Sequence, residues 1–318
     1  MPEEEMPEEY ELSDDYENSW ESVFARAKRR SLISKKNNEI IADFLGEGPR
    51  SVEKYEPESY YWGLSAWTVK CIFASPGWKT VSILGYSRQQ PFHRDIPTDY
   101  TKFATCLTDG QMLVENDDIR FVITIYCRPR DINFIQVEAK IEYQEQVKKL
   151  LQEITDFQMQ NNFYRGKRLC LNNELSFVTT GQKDWDSVIL DPMVKKEIRL
   201  NTIDFLKRRD KLEKCGIPSR RGIILAGEPG TGKTAICKAL MWEGEGITRI
   251  STNAYGMMQE GYVCDVFSIA QELSPTIIII EDLDFIGHER SESFRGTPGL
   301  IALLAEMDGI EEKKRSLL

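Results

Sequence analysis

One eight-residue stretch limits what this chain can fold into more than any other feature. Residues 227–234 read Gly-Glu-Pro-Gly-Thr-Gly-Lys-Thr and match the pattern G-x-x-x-x-G-K-[ST] at every fixed position. Glycines let successive backbone N–H groups turn toward a phosphate, while Lys233 adds a positive charge and Thr234 adds a hydroxyl suited to Mg²⁺. The stretch therefore predicts a phosphate-binding loop, and a nucleoside triphosphate is the expected ligand.

The residues on both sides of this loop have the pattern that a phosphate loop requires. Residues 222–226 form a short apolar run that predicts a buried parallel strand, and residues 235–241 predict a helix. A helix that begins at the loop presents unpaired N–H groups and the positive end of its dipole to an anion. The predicted fold class is therefore α/β, a P-loop NTPase with a parallel sheet.

A second motif follows about forty residues later. Residues 277–280 are four isoleucines, and Glu281 and Asp282 come directly after them. The run predicts a buried parallel strand whose C-terminal end brings carboxylates to the ligand-binding edge of the sheet. One carboxylate is needed for a metal-bound water and another for the water that attacks the γ-phosphate. Because adjacent strand residues point to opposite faces, the two acids are expected to have different roles.

Composition narrows the classes of protein to which this chain can belong. A length of 318 residues with 41% apolar side chains predicts about two packed domains. No apolar run reaches the ~18 residues of a membrane span, and the N-terminus is acidic, so we expect a cytoplasmic protein without a membrane span. A net charge of −10 argues against a nucleic-acid partner. Seven scattered cysteines without a C-x-x-C pair favour buried free thiols over disulfides or zinc.

Three regions are predicted along the chain. Residues 1–36 form an acidic and then basic tail that we expect to be disordered, since the first 22 residues carry ten acidic and no basic side chains. Residues 37–170 form a β-rich α+β N-terminal domain, in which no catalytic grouping is recognisable. Antiparallel strands are predicted within 67–73, 79–86 and 120–127 of this domain, and a helix within 136–160.

The third region, residues 184–318, contains the phosphate loop. After a turn at 179–181, the residues from Asp184 to Pro192 lead into a helix that is predicted to end near residue 214, with Gly216 to Pro218 as its stop. This region resembles the large subdomain of the AAA ATPase family. The resemblance rests on residues 185–188, 217–222 and 303–309 together with the two motifs. Residues 188–191, 204–206, 217–222 and 281–284 are most similar to the branch that contains the mitochondrial respiratory-chain assembly chaperone.

The resemblance implies ATP and Mg²⁺ as ligands and assigns roles by position. The implied phosphate-binding residues are Gly227, Glu228, Pro229, Gly230, Thr231, Gly232, Lys233, Thr234 and Ala235, and the implied adenine segment is Val188, Ile189 and Leu190. Thr234 and Glu281 are the implied Mg²⁺ ligands, and Lys233, Glu281 and Asp282 the implied catalytic residues, with Asp282 activating water. Most members have Asp-Glu where this chain has Glu-Asp. Either the water lies closer to Asp282, or Glu281 shares its role.

The family also implies an assembly and further segments. A homo-oligomeric, hexameric ring that remodels or unfolds a protein client is expected, with the client unknown. In the family, strands 4 and 5, a sensor residue, the arginine fingers and a helical lid would follow Leu318, so we expect an incomplete large subdomain that hydrolyses ATP poorly. A nucleotide-dependent adaptor or switch without productive hydrolysis is the alternative. Tyr255 or Met257 could face a central pore, although ordinary packing is the preferred interpretation.

Overall fold

The computed structural model describes residues 35–172, 174–216, 221–281 and 298–308. These residues form two units. The first contains residues up to 58 together with 65–95 and 105–157, and the second contains 59–64, 96–104 and the residues from 158 onward. Each unit has its own sheet, one antiparallel and one mainly parallel.

The first sheet is antiparallel and has the strand order β1-β6-β5-β4-β2, with β3 paired to β4. In chain order the elements are α1 (35–45), β1 (Arg50–Tyr55), α2 (Trp62–Phe73), β2 (Trp78–Leu84), β3 (Phe92–Pro97), β4 (Phe103–Asn116), β5 (Ile119–Tyr126), β6 (Phe134–Lys140) and α3 (Gln144–Gln160). The strand β6 has buried and partly exposed side chains in alternation, as expected for a strand with one face on a core. Ile135, Val137 and Ala139 are fully buried and the residues between them are not. The predicted strands at 79–86 and 120–127 are confirmed as β2 and β5.

Two predictions in this region are wrong. Residues 67–73 belong to α2 and are not a strand. Thr68, Val69 and Ile72 are all buried, so most of the surface of this helix is covered. Its sequence is therefore apolar and β-branched on nearly every side, and periodicity alone does not distinguish such a helix from a buried strand. The helix predicted from residue 136 begins at Gln144, since residues 136–140 complete the alternating strand β6.

The second sheet has the order β10-β9-β7-β8, in which β10, β9 and β7 are parallel and β8 is antiparallel to β7. Its elements are β7 (Arg168–Leu171), β8 (Leu175–Phe177), α4 (Pro192–Asn201), α5 (Ile203–Lys207), α6 (Arg209–Lys214), α7 (Lys233–Trp242), β9 (Thr248–Asn253), α8 (Glu260–Glu272), β10 (Thr276–Glu281) and α9 (Pro298–Asp308). A mixed α/β unit with a parallel sheet, after a β-rich region, confirms the predicted fold class. The domain limits stay a prediction, and β7 and β8 cover residues 168–177.

The helix predicted from Pro192 to about 214 is present as three short helices, α4 to α6. Asp191 caps the first of them, because its side chain accepts a hydrogen bond from the N–H of Met193 at 2.7 Å, and Pro192 occupies the first turn. The predicted stop at Gly216–Pro218 lies mostly outside the described residues, although Gly216 itself has a left-handed φ of 72°.

The strand predicted for residues 222–226 is absent, so this expectation is wrong. The segment has no strand geometry, and Ile223 and Ile224 are 41% and 76% exposed. A strand requires a neighbour for its N–H and C=O groups. Within the part of the chain that the structure describes, no strand pairs with this segment.

Candidate nucleotide site

The phosphate loop is shaped by glycines with left-handed backbone. Gly230 has a φ of 82° and Gly232 a φ of 94°, values that residues with a Cβ rarely adopt. Thr231 lies between them and contacts the start of the loop, where its Oγ1 donates a 2.8 Å hydrogen bond to the carbonyl of Glu228. Residues 228–231 therefore form a closed turn, and the side chains of Glu228, Pro229 and Thr231 are exposed on it.

Lys233 lies inside this turn. Its Nζ donates hydrogen bonds to the carbonyls of Gly227 and of Glu228, the second at 3.0 Å. The ammonium group is therefore positioned against the loop backbone, where a β- or γ-phosphate would need a positive charge. Thr234 follows with an exposed side chain.

The helix α7 begins at Lys233, which confirms the predicted helix after the loop. Gly232 is its N-cap residue and has no side chain with which to satisfy the first-turn N–H groups. These groups and the helix dipole face the loop, so the position suits an anion. The methyl group of Ala235 is partly buried and packs against the apolar core of the second unit.

That core places α7 against one face of β10. Ile236, Ala239 and Leu240 of α7 are buried in the same cluster as Ile279, and Ile277 packs against it. Because strand side chains alternate, Glu281 lies on the same face of β10 as these two isoleucines. The predicted strand of isoleucines is thereby confirmed as β10, parallel to β9.

The electrostatics of Cys237 agree with this position of Glu281. The pKa of the Cys237 thiol is raised to about 11, first because it is buried and second because the negative charge of Glu281 is close. Thr234 lies three residues before Cys237, and residues with this spacing share a helix face. The Thr234 hydroxyl therefore lies on the face of α7 whose Cys237 is affected by the charge of the Glu281 carboxylate. Both are oxygen donors of the kind that Mg²⁺ prefers, so the residues present fit this ion.

Asp282, the predicted water-activating residue, lies outside the described residues. The adenine segment is described and its three side chains differ. Val188 is buried in the core of the second unit, Leu190 packs partly against that core, and Ile189 is 97% exposed. Ile189 is therefore the most accessible of the three side chains, Leu190 is partly accessible, and Val188 is held in the core.

Two asparagines at the edge of the sheet were not found from the sequence. Asn253 ends β9 directly beside Glu281 in the strand register, and its Nδ2 donates a 3.2 Å hydrogen bond to Oδ1 of Asn172, just after β7. The Oδ1 of Asn253 accepts a 2.9 Å hydrogen bond from the N–H of Gly256. Asn253 was recognisable as a polar residue that ends a strand. Asn172 was not, because nothing in the sequence indicates that β7 pairs with β9.

The two residues considered for a pore have different environments. Met257 is fully buried and therefore packs in the interior, as preferred in the sequence analysis. Tyr255 is 79% exposed. None of the seven cysteines forms a disulfide. Among them only Cys106 and Cys127 are buried, so the expectation of buried thiols is wrong for the exposed Cys215 and Cys264. Within the described ranges, no helix combines the length and apolar character that a membrane crossing requires.

Comparison with known proteins agrees with this geometry. The arrangement of loop, helix and acidic strand defines a P-loop NTPase. The model of the family "ATPase family associated with various cellular activities (AAA)" matches residues 223–318, so this part of the chain is similar to that family. The family is one of nucleotide-binding hydrolases.

Several curated proteins are similar over this region. A proteasome-activating nucleotidase of Methanococcus maripaludis is 32% identical over 176 residues, which cover 46% of this chain and 43% of the nucleotidase. An ATP-dependent zinc metalloprotease FtsH of Leptotrichia buccalis is 39% identical over 128 residues, which cover 37% of this chain and 16% of the protease. The FtsH of Malacoplasma penetrans is 37% identical over 130 residues. The chain thus spans less than half the length of these relatives.

Proposed function

We propose that this chain binds ATP with Mg²⁺ and that the protein uses ATP hydrolysis to remodel or unfold protein substrates. The phosphates would lie in the loop of residues 227–234, held by its N–H groups and by Lys233. Thr234 and Glu281 would hold Mg²⁺, which stabilises the charge that develops on the phosphates during hydrolysis. Asp282 would orient the attacking water, and Val188 to Leu190 would border the adenine.

One observation supports this proposal more than any other. Glu281 is close enough to Cys237 to raise the pKa of its thiol, and Cys237 lies one turn after Thr234 on α7. Thr234 and Glu281 are 47 positions apart in the numbering, and the electrostatic effect of Glu281 on Cys237 supports placing them in one site. A glycine turn without a ligand would not require a carboxylate on this face.

Nucleotide binding is tested by titrating the full chain with a fluorescent ATP analogue and Mg²⁺. Lys233→Ala is expected to weaken binding at least about tenfold, equivalent to about 1.4 kcal/mol. Lys238→Ala, which removes an exposed charge from the same helix, is the matched control and should bind like the unaltered chain. Equal affinity of the two variants would contradict the proposal.

The Mg²⁺ assignment needs its own measurement. Removal of Mg²⁺ with EDTA should weaken binding to the unaltered chain, and Thr234→Ala should remove most of that difference. If Thr234→Ala depends on Mg²⁺ as strongly as the unaltered chain does, the hydroxyl is not a ligand of the ion.

The ring, the client and the location are proposed from the family. The names of the relatives describe a proteasome-activating nucleotidase and an ATP-dependent protease. We propose by analogy a homo-hexameric cytoplasmic ring whose β-rich N-terminal region selects a protein client. We also propose membership of the branch with the respiratory-chain assembly chaperone, on the sequence stretches described above. Size measurement of the assembly with and without nucleotide tests the ring.

The order Glu281-Asp282 supports a second candidate function. Because Glu281 occupies the face toward α7, the shorter Asp282 is left for the water, and hydrolysis can be slow enough for the protein to act as a nucleotide-dependent switch. Steady-state ATPase assays distinguish the two functions. If addition of an unfolded protein increases the turnover, and Asp282→Asn abolishes it, the remodeller is supported. If the turnover is slow and does not change when an unfolded protein is added, the switch is supported.

A further inference from the structure

Four side chains at the C-terminal end of α7 have no role in the nucleotide site. They are Tyr100, Arg168, Trp242 and Arg249, and we refer to them as the helix-end clamp. The guanidinium of Arg168 lies 3.7 Å from the ring centroid of Trp242 and 4.2 Å from that of Tyr100. Arg168 therefore makes cation–π contacts with both rings, and Trp242 is the last residue of α7.

Arg249 binds the backbone that follows the helix. Its Nη1 donates hydrogen bonds to the carbonyls of Glu243, at 2.9 Å, and of Gly244, and its Nη2 donates to the carbonyl of Gly166 at 3.4 Å. The side chain is almost fully buried. Burial and, to a smaller extent, the positive charge of Arg168 lower the pKa of the guanidinium, and the interaction with Tyr100 opposes that shift. A buried cation at the negative end of the α7 dipole stabilises that end of the helix.

Tyr100 is presented by a tight turn of residues 98–102, which connects β3 to β4. The N–H of Thr98 donates to the carbonyl of Lys102 at 2.9 Å, and the N–H of Tyr100 donates to Oδ1 of Asp99, also at 2.9 Å. Asp99 forms a 2.8 Å ion pair with Lys167, and the hydroxyl of Tyr100 accepts a hydrogen bond from the N–H of Arg168. The turn is therefore attached to β7 by both its charge and its ring.

We propose that the helix-end clamp links nucleotide occupancy of the phosphate loop to the ordering of residues 98–102. The two sites lie at opposite ends of α7, whose ten residues span about 15 Å as one rigid element. A ligand that restrains the N-terminal end of α7 also restrains Trp242, and through Arg168 it restrains Tyr100. By linkage, ordering of the turn strengthens nucleotide binding by the same factor. This inference rests on the proposed nucleotide binding.

Hydrogen–deuterium exchange of the full chain measures the first half of this linkage. Addition of Mg²⁺ with a non-hydrolysable ATP analogue should slow exchange in residues 98–102 about fivefold or more in the unaltered chain, the lower end of usual allosteric coupling. The response should disappear in Trp242→Leu and persist in Trp242→Phe, which keeps an aromatic ring. Trp78→Leu is the matched control, since Trp78 contacts Phe73 and Phe121 in the first unit.

Equilibrium titration measures the second half. Tyr100→Leu should weaken binding of the same analogue by about the factor found in the exchange experiment. The melting temperature separates this effect from simple destabilisation. Trp242→Leu and Trp78→Leu are both expected to lower it, but only Trp242→Leu should remove the nucleotide response at residues 98–102.

The outcomes distinguish the two proposals. If the analogue binds to the unaltered chain but leaves exchange at residues 98–102 unchanged, the linkage is wrong and nucleotide binding stands. A response that survives in Trp242→Leu also overturns the linkage, because another route then carries it. If the analogue does not bind at all, the proposed function fails and the linkage fails with it.

Discussion

The two flanks of the phosphate loop are both apolar in sequence, but only one is packed. After the loop, Ile236, Ala239 and Leu240 are buried against the β10 face that carries Ile279. Before the loop, Ile223 and Ile224 are largely exposed, and only Leu225 packs partly against the same core. The difference is one of partners, because helix α7 has a sheet face to cover and residues 222–226 have no strand beside them among the described residues.

This contrast shows which parts of the site depend on local chemistry. The loop turn, the cap at Gly232 and the position of Lys233 are formed by residues 227–233 themselves. These features do not depend on residues 222–226, which precede the loop. The position of Glu281 depends instead on the packed flank, since the core between α7 and β10 holds the carboxylate near the helix.

The largest expected effect is on the packed flank. Ile279→Ala should lower the free energy of unfolding by about 2–5 kcal/mol, because it removes buried methyl and methylene groups and leaves a cavity. Urea denaturation of the full chain measures the loss. Ile132→Ala is the matched control, since Ile132 is 71% exposed and should change the free energy little. A loss below 1 kcal/mol at position 279 would contradict a packed α7–β10 contact.

The next effect is on the loop itself. Gly232→Ala should lower the free energy of unfolding by about 1–2 kcal/mol, because a residue with a Cβ is strained at a left-handed φ. The control is Gly261→Ala in α8, where a new Cβ meets no atom within 4 Å and the change should be neutral or stabilising. If both variants have the same stability, the left-handed turn at Gly232 is not present in solution.

The sequence predicted α7, β10 and the phosphate loop because their signals are local. Glycine positions, an apolar run of the right length and a Lys-Thr pair are all contained within a few residues. The strand of residues 222–226 was predicted wrongly, since the same kind of apolar run is buried only where another strand pairs with it. Local composition contains no information on that pairing.

Asn172, Arg168 and Tyr100 could not be predicted for the same reason, because their positions depend on contacts between distant segments. Asn172 reaches the sheet edge because β7 pairs with β9, and the register joins Cys170 to Ser251 across 81 positions of the chain. Arg168 contacts Tyr100 and Trp242, and the three residues come from distant segments of the chain. A single sequence indicates which residues are charged or aromatic, but not which of them share a surface. The helix α2 was missed for a related reason, because its burial hides the period of 3.6 residues.

A smaller effect tests the placement of Glu281 directly. With a pKa of about 11, only about one Cys237 thiol in a thousand is ionised at pH 8, so alkylation should be slow. Glu281→Gln removes the negative charge that helps to raise this pKa and should speed alkylation about two- to fivefold, as expected for less than 1 kcal/mol of charge interaction. Mass spectrometry of the labelled Cys237 peptide measures the rate.

The control for this experiment is Glu245→Gln, which removes an exposed acid beyond the end of α7. It should leave the alkylation rate unchanged, and an equal increase in both variants would show that Glu281 is not specifically close to Cys237. The same thiol predicts a direction of pH dependence. Because the folded chain holds this proton more tightly than a free thiol of pKa 9.0 does, its contribution to stability is present below pH 9 and is lost as the pH rises toward 11.

The smallest expected effect is on the open flank. Ile224→Asp should change the free energy of unfolding by no more than about 0.5 kcal/mol, because the side chain is already exposed to water. The same substitution at the buried Ile236 places a charge in the core and should be far more destabilising, by several kcal/mol. Urea denaturation of both variants measures the difference between the flanks. A loss above 1 kcal/mol in Ile224→Asp would mean that residues 222–226 are packed in solution. The buried strand that the sequence predicts would then be present after all.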